Sequence, residues 1–169
     1  VTPTAAARHA LRSLAHRYRH LTAELLDLEA ELDRLTRTTA PALVAAFGIG
    51  PDTAATLLVT AGSNPERLRS EAAFAALCGV NPIPASSGKT DRHRLNRGGD
   101  RQANAALYRV VIVRLRHDQR TKTYMQRRRA EGMSKAEVIR CLKRYVAREV
   151  FAVLRDLGRR NVAKGLDSL

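Results

Sequence analysis

The sequence predicts an all-α protein, and three observations along the chain point to that class. Apolar side chains recur at helical spacing through most of the 169 residues. No segment alternates apolar and polar side chains as a half-buried strand would. Helix caps and glycines divide the chain into segments of helical length. We expect a coiled-coil arm over residues 1–38, followed by a helical domain over residues 39–169.

The arm carries an apolar seam between residues 8 and 37. Its members are spaced alternately three and four residues apart, which is the heptad pattern of a coiled coil. A single helix cannot cover such a seam, so we expect an intermolecular or hairpin coiled coil and a homo-oligomer. The alternative is an ordinary long helix packed on its own domain. The seam consists of Leu11, Leu14, Tyr18, Leu21, Leu25, Leu28, Leu32 and Leu35.

A helix-hairpin-helix pattern occupies residues 39–62. A short apolar helix leads into Gly48-Ile49-Gly50, and Pro51-Asp52 begins a second helix. Glycines allow a hairpin backbone to approach a DNA phosphate, which the backbone amides can then bind. Gly48 and Gly50 are therefore candidate phosphate-binding residues. A tight helical turn without a ligand is the alternative.

A further helix and a long loop follow. Asn64-Pro65-Glu66 is a favourable helix start, and we expect this helix to pass through Phe74 and to end at Gly79. Residues 80–99 then lack apolar periodicity, and loops of about twenty residues in compact domains are usually functional or disordered. We call residues 80–99 the serine loop, because they contain Ser86-Ser87-Gly88.

The serine loop has the components that phosphoryl transfer requires. These are an accessible hydroxyl nucleophile, backbone amides to hold oxygens, and cations to neutralise charge on phosphorus. His93 is a possible proton donor, although a lone loop histidine is more often a surface residue. The candidate phosphate-binding side chains in and after the loop are Lys89, Arg92, Arg94, Arg97 and Arg101.

Three basic helices are expected over residues 100–157. The first runs from about Asp100 to Asp118, with Tyr108 on its core side, and the second spans residues 120–131. Ser134 and Glu137 form a capping box that begins the last helix, which we expect to end near residue 157. Its predicted buried stripe consists of Val138, Leu142, Tyr145, Val146, Val150, Val153 and Leu154, with Arg140, Lys143, Arg144, Arg148 and Arg155 mostly off it.

The charge distribution predicts a polyanionic partner. Residues 92–160 hold 20 Lys and Arg against 6 Asp and Glu, whereas residues 1–91 hold 9 of each kind. Most of the cations are arginine, which pairs bidentately with phosphate and reads guanine edges. DNA or RNA is therefore the expected ligand. No apolar run approaches the length of a membrane span, and the start of the sequence has no secretory signature, so we expect a cytoplasmic, nucleoid-associated protein with no membrane partner.

The order of these features resembles one family, the insertion-sequence transposases related to the Piv DNA invertase, which include bridge-RNA-guided recombinases. The resemblance covers almost the whole chain and is densest between Phe74 and Leu107. It is carried by the coiled-coil segment, the Gly-x-Gly hairpin, Phe74-x-x-Leu77-Cys78-Gly79-Val80-x-Pro82, Ser86-Ser87-Gly88, Arg97-Gly98-Gly99-Asp100 and Asn104-x-x-Leu107.

This resemblance implies a catalytic role for one serine. The serine before glycine maps onto Ser87, with Ser86 as the alternative, and would form a covalent phosphoserine link with DNA. Family members also carry an N-terminal acidic domain that binds Mg²⁺. That domain is not found in these residues, so no cofactor is expected in this chain and Mg²⁺ is expected in the full-length enzyme. A guide RNA is a possible further partner.

Two other functions remain open at this point. The chain could be a non-catalytic helical module in which the serine loop only contacts DNA or RNA phosphates. It could also be an oligomerisation module built on the heptad seam. Asn104 could contact DNA or hydrogen-bond the loop backbone, and the sequence does not separate these two roles. Tyr108 and Tyr124 are nucleophiles only in principle.

Overall fold

A computed structural model describes residues 2–62, 68–85 and 93–166, with side chains described as far as Arg159. In this part of the chain the fold is all-α, as predicted, with seven helices and one two-stranded antiparallel sheet. None of the described helices is long and apolar enough to cross a membrane. The elements are α1 (Pro3–Thr39), α2 (Pro41–Val44), α3 (Pro51–Gly62), α4 (Glu71–Leu77), β1 (Ile83–Pro84), β2 (His93–Arg94), α5 (Arg101–His117), α6 (Gln119–Ala130) and α7 (Lys135–Leu166).

Within the described part of the chain, helix α1 is buried against its neighbours near its C-terminal end. Thr2 caps its start by accepting a hydrogen bond from the Ala5 amide, and Pro41 follows its end. Thr36 is buried in α1, and contacts with α2 and α3 hold this end of the helix. Seven of the eight seam residues are exposed, and only Leu32 is half-buried.

The core lies between α3, α4, α5 and α7. Its largest fully buried side chains are Phe74, Leu43, Leu57 and Leu107, together with valines of α5 and α7. The rings of Phe74 and Phe151 pack with their centroids 6.2 Å apart, which ties α4 to α7. None of the seam residues of α1 belongs to this core.

The caps agree with the sequence. Asp100 begins α5 by accepting hydrogen bonds from the amides of Gln102 (2.7 Å) and Ala103 (3.0 Å). The predicted capping box before α7 is confirmed, since the Ser134 amide donates to Glu137 Oε2 (2.8 Å) and the Glu137 amide donates to Ser134 Oγ (3.3 Å).

Several boundaries differ from those predicted. The helix through Phe74 begins at Glu71, not near Asn64, because Ser70 caps it by accepting from the Ala73 amide. Residues 63–67 lie outside the described residues. The serine loop was expected to lack strands, yet it contains β1 and β2. Helix α7 continues to Leu166, well beyond the predicted end, and Gly158 lies within the helix.

Three side chains lie on the opposite face from the one predicted. Tyr108 and Tyr145 were assigned to buried stripes but are 45% and 44% exposed. Lys143 was assigned to the surface but is only 7% exposed. On α7, the Lys143 side chain is directed towards Asn104 of α5, whereas the ring of Tyr145 packs against Tyr124 of α6.

Candidate nucleic-acid interface at the base of the serine loop

The serine loop starts and ends where two stretches of backbone touch. Gly79 ends α4 with a φ of +64°, and Gly99 precedes α5 with a φ of +88°. A Cβ on Gly79 would lie 2.3 Å from the Gly98 oxygen, and one on Gly99 would lie 2.5 Å from the Gly79 nitrogen. The Asp100 amide donates to the Leu77 oxygen (2.7 Å) beside this contact. Only glycine fits both positions, on conformational and on steric grounds.

Two asparagine side chains hold this junction together. Asn104 Nδ2 donates to the oxygens of Cys78 (2.8 Å) and Gly79 (3.1 Å). Asn96 Nδ2 donates to Asn81 Oδ1 (2.5 Å), while Asn96 Oδ1 accepts from the Gly98 amide (2.8 Å). Asn104 therefore bonds the loop backbone, which confirms one of the two roles that the sequence left open.

The strands bring the two described ends of the loop side by side. Ile83 pairs with Arg94, and Pro84 pairs with His93, in an antiparallel register. Four candidate residues, Ser86, Ser87, Lys89 and Arg92, lie between these strands and outside the described residues. We use the name loop base for the junction formed by Gly79, Asn81, Asn96, Gly98 and Gly99.

Two open clefts flank the loop base, and both are rich in cations. The first, the α5-side cleft, contains the predicted Arg97 and Arg101 together with Asn104 and Tyr108. The second, the α7-side cleft, contains the predicted Arg94. Lys143 lines both clefts. The charged residues of the α7-side cleft are His93, Arg94, Arg128, Glu137, Arg140, Lys143 and Arg144.

An ion-pair cluster fixes the orientation of α4 on α7 next to the second cleft. The Glu71 carboxylate accepts hydrogen bonds from Arg144 and from Arg148 Nε (3.1 Å). Burial alone would raise the pKa of Glu71, but the hydrogen bonds from Arg148 and Arg144 outweigh it and lower this pKa below its ordinary value. Glu71 is therefore held as the carboxylate, and it draws the two arginines towards α4.

The predicted glycine hairpin lies apart from the loop base. Gly48 has a φ of +83°, and a Cβ there would lie 3.4 Å from Arg114 Cγ. Arg114 Nε also donates to the Phe47 oxygen (2.9 Å). Because Arg114 follows Asn104 by ten residues on α5, the two sites are about 15 Å apart along that helix. Gly50 is exposed, and a Cβ there would meet no atom within 4 Å.

Two other potential nucleophiles among the described residues, Cys78 and Tyr124, are not activated. Burial, followed by the charge of Asp100, raises the pKa of the Cys78 thiol to about 12. Burial and a hydrogen bond with Tyr145 raise the pKa of Tyr124 to about 12. Thiolate and phenolate forms are thus disfavoured at neutral pH. His93 is exposed on β2.

The described residues do not provide a metal site. Nowhere among them do three or more His, Cys, Asp or Glu side chains come together in a group that could hold a metal ion. Mg²⁺ usually requires carboxylate oxygens in octahedral geometry, and Asp100, the acidic residue nearest the loop base in sequence, is engaged in capping α5. These residues therefore do not fit the metal that the resemblance implies.

Sequence reasoning missed the role of Lys143, although a signal for it was present. Ile139, Val146, Ala147 and Val150 stand four residues before it and three, four and seven residues after it. This is the spacing of one helix face, so the periodicity places Lys143 among buried side chains. The buried stripe of α7 passes through position 143 and leaves Tyr145 exposed.

Together, the fold and the clefts define a helical domain that presents a polar loop between two cationic surfaces. Residues 37–126 match the model of a protein family described as "Transposase IS116/IS110/IS902 family". This match covers more than half of the chain and contains the loop base. The chain belongs to this family and is part of an insertion-sequence transposase.

Two relatives agree with that assignment. The chain is 34% identical over 133 residues to the "Insertion element IS110 uncharacterized 43.6 kDa protein" of Streptomyces coelicolor, covering 76% of this chain and 32% of the relative. It is 27% identical over 146 residues to the "Insertion element IS900 uncharacterized 42 kDa protein" of Mycobacterium paratuberculosis, covering 85% and 37%. The chain thus spans about a third of the length of these relatives.

Proposed function

We propose that this chain binds DNA and contributes the nucleophile for strand cleavage and rejoining in the complete transposase. Ser87 is the proposed nucleophile, and Ser86 is the alternative. The observation that carries this proposal is the construction of the loop base, in which glycine contacts, Asn96 and Asn104 hold the described ends of the serine loop between two cationic clefts. A polar loop whose ends are held by several specific contacts is typical of a reactive site.

The chemistry proceeds by two transesterifications. The serine Oγ attacks a backbone phosphorus, a phosphoserine ester forms, and one P–O bond to deoxyribose breaks to release a DNA hydroxyl. A hydroxyl of the partner strand then attacks the phosphoserine, which restores the serine and joins the new strand. The total number of phosphoester bonds is conserved. Arg94, Arg97 and Arg101, together with Lys89 and Arg92, would neutralise charge on the phosphate.

Binding must extend beyond the loop. The basic helices supply sequence-independent attraction for the DNA backbone. The exposed Gly50 lies at the start of α3, where free helix amides are available to a phosphate. We assign Gly48 a conformational role in the same hairpin, because its positive φ and its contact with Arg114 set the angle of the turn. Contact of this hairpin with DNA would be non-specific.

The complete enzyme would need two contributions from outside these residues. One is an acidic domain that holds Mg²⁺, since the described residues bring no suitable ligands together. The other is a partner for α1, whose exposed seam supports a coiled coil between copies of the protein. A guide RNA, if the full enzyme uses one, would be a further polyanion for the basic helices.

Covalent trapping in the full-length parent tests the nucleophile. The protein is incubated with labelled element-end DNA, Mg²⁺ and any required guide RNA, and adducts are resolved on a denaturing gel. We expect an adduct in the parent and in Ser86→Ala, and none in Ser87→Ala.

Three other outcomes would change the proposal. Loss of the adduct only in Ser86→Ala would move the nucleophile to that residue. An adduct in both variants would place the chemistry elsewhere. Binding without any adduct would leave a non-catalytic DNA-binding domain, which is the main alternative function.

A further inference from the structure

Lys143 is a buried cation without a counter-charge. Its side chain is 7% exposed, and its Nζ donates to the neutral Asn104 Oδ1 (2.8 Å). Within the described part of the chain, no carboxylate forms an ion pair with it. Burying a charge without a partner costs free energy, and proteins rarely accept this cost without a ligand or a structural reason.

The hydrogen-bonding capacity of Lys143 is also incomplete. An ammonium group has three N–H donors, and one of them is used on Asn104. The Lys143 side chain lines the α7-side cleft together with His93 and Arg94 of β2. An anion entering this cleft would reach a cation that is already desolvated, so the attraction would be stronger than at an exposed lysine.

A second side chain of the same cleft has one unpaired donor. Arg128 Nε is buried and has no hydrogen-bond acceptor among the described residues. Its NH1 group pairs with Glu131 on the outer side. A small rotation of the guanidinium would offer Nε to an anion in the cleft. Arg128 thus provides independent support for a missing acceptor.

The remaining charges of the cleft favour an anion as well. Its other cations include Arg94, Arg140 and Arg144. Glu137 is the acidic residue among the described side chains that line this cleft, and its carboxylate accepts from Ser134 in the capping box. Arg128, Arg140 and Arg144 each pair with a glutamate, so the cations of this cleft without an ion pair among the described residues are Arg94 and Lys143.

We infer that the α7-side cleft is a binding site for a backbone phosphodiester of nucleic acid, with Lys143 and Arg128 as its inner contacts. This inference rests on the proposed nucleic-acid binding and adds a site beyond the arginines of the serine loop. The phosphate would accept from the free N–H groups of Lys143, while Asn104 keeps the ammonium beside the loop base. DNA and RNA present the same phosphodiester, so both are used as probes.

Binding measurements on the 169-residue chain test the inference. A fluorescent 30-base-pair DNA of random sequence and a single-stranded RNA of 30 nucleotides are titrated at several salt concentrations. Lys143→Met keeps the shape of the buried stem and removes the charge. The matched control is Lys135→Met, which removes the same charge from an exposed position of the same helix.

We expect Lys143→Met to weaken binding of DNA by about tenfold, as for loss of a charged hydrogen bond. The slope of log K against log salt should become shallower by about 0.9, which corresponds to one phosphate contact. Lys135→Met should change either quantity much less. Arg128→Met, compared with its exposed neighbour Arg129→Met, should show the same contrast. An effect on RNA alone would identify RNA as the source of the phosphodiester.

Thermal unfolding separates a ligand contact from a structural role. Lys143→Met removes the cost of burying a charge but leaves Asn104 Oδ1 without its donor. Affinity is therefore compared at a temperature at which the parent and the variant are both fully folded, so that a loss of binding reports a ligand contact. Equal binding by the two lysine variants, together with equal binding by the two arginine variants, would overturn the inference while leaving the proposed function intact. Absence of nucleic-acid binding by the unmodified chain would overturn both.

Discussion

The α1 arm and the loop base differ in how their sequence pattern relates to their packing. The arm has a regular apolar seam, yet its seam residues remain exposed, with Leu14 at 64% and Leu25 at 59%. The loop base has no apolar periodicity, but its glycines are packed so closely that no Cβ fits. The arm thus carries an apolar seam that the described part of the fold leaves uncovered, whereas the contacts of the loop base lie within the domain.

A regular sequence pattern in a segment therefore does not mean that the segment is packed within its own fold, and a well-packed segment need not have a regular pattern. A heptad pattern specifies the geometry of an interface without supplying the second surface. The glycines of the loop base and the hydrogen bonds of Asn96 and Asn104 fix one local backbone arrangement through contacts within the chain. Substitutions at the loop base should therefore lower the stability of the domain, whereas substitutions in the seam should affect self-association.

Gly99→Ala should have the largest effect. The substitution combines a positive φ with a Cβ at 2.5 Å from the Gly79 nitrogen and 2.7 Å from the Leu77 oxygen. We expect a loss of about 3 kcal/mol in the free energy of unfolding, measured by chemical denaturation.

Gly132→Ala is the matched control for this change. Gly132 has a φ of +92°, but a Cβ there would meet no atom within 4 Å. Only the conformational cost remains, so its loss should be about 1 kcal/mol. Equal losses in the two variants would show that the close backbone contact at the loop base is not a stability determinant.

Leu25→Glu should disrupt self-association through the arm. Placing a carboxylate in the seam of each copy should raise the dissociation constant of a dimer by about a hundredfold, as expected for loss of a buried leucine on each side. Sedimentation equilibrium measures this constant.

Leu26→Glu adds the same charge to an equally exposed leucine outside the seam. It should leave association nearly unchanged. If both glutamate variants weakened association alike, the heptad seam would not be the specific interface. If the parent did not self-associate, the coiled-coil prediction would be wrong.

Asn104→Ala should destabilise the loop base by removing the hydrogen bonds of the Asn104 side chain. The change leaves the oxygens of Cys78 and Gly79 and the ammonium of Lys143 without their partner. We expect the free energy of unfolding to fall by about 2 kcal/mol. Gln102→Ala, at an exposed position of the same helix, provides the control and should change stability by less than about 0.5 kcal/mol. Similar values for both would contradict the clamping role of Asn104.

Glu71→Gln should have the smallest effect and should depend on pH. The pKa of Glu71 is lowered from its ordinary value of 4.5, so its carboxylate stabilises the fold above that pH. This contribution, about 1 kcal/mol for a partly buried pair, is lost as the pH falls through the lowered pKa. The stability difference between the parent and Glu71→Gln should therefore be present at pH 7 and shrink below about pH 4.

Glu29→Gln, which changes an exposed carboxylate of α1, serves as the control for Glu71→Gln in urea denaturation at each pH. It should show little pH-dependent difference from the parent. A difference for Glu71→Gln that stays constant from pH 7 to pH 3 would mean that its ion pairs with α7 do not stabilise the carboxylate.

Local signals in the sequence predicted much of the fold. Asp100 and the Ser134–Glu137 pair marked helix starts that the structure confirms. The start at Asn64 was wrong for the helix of Phe74, because Ser70 offers a competing cap closer to it. For the candidate site, the sequence predicted the arginines beside the serine loop, but it did not predict that Lys143 would join them.

Four properties follow from the sequence without the tertiary structure. They are the helical fold class, the heptad seam, the location of the positive charge in residues 92–160, and the glycines that permit a positive φ. These properties depend on residues within a few positions of one another, where helical periodicity and conformational freedom act directly. The tertiary structure alone decided that Gly79 meets Gly98 and Gly99, that Asn104 holds Lys143, and that Tyr108 faces a cleft. These contacts join residues about 20 to 40 positions apart, so they arise only when packed helices bring distant segments together.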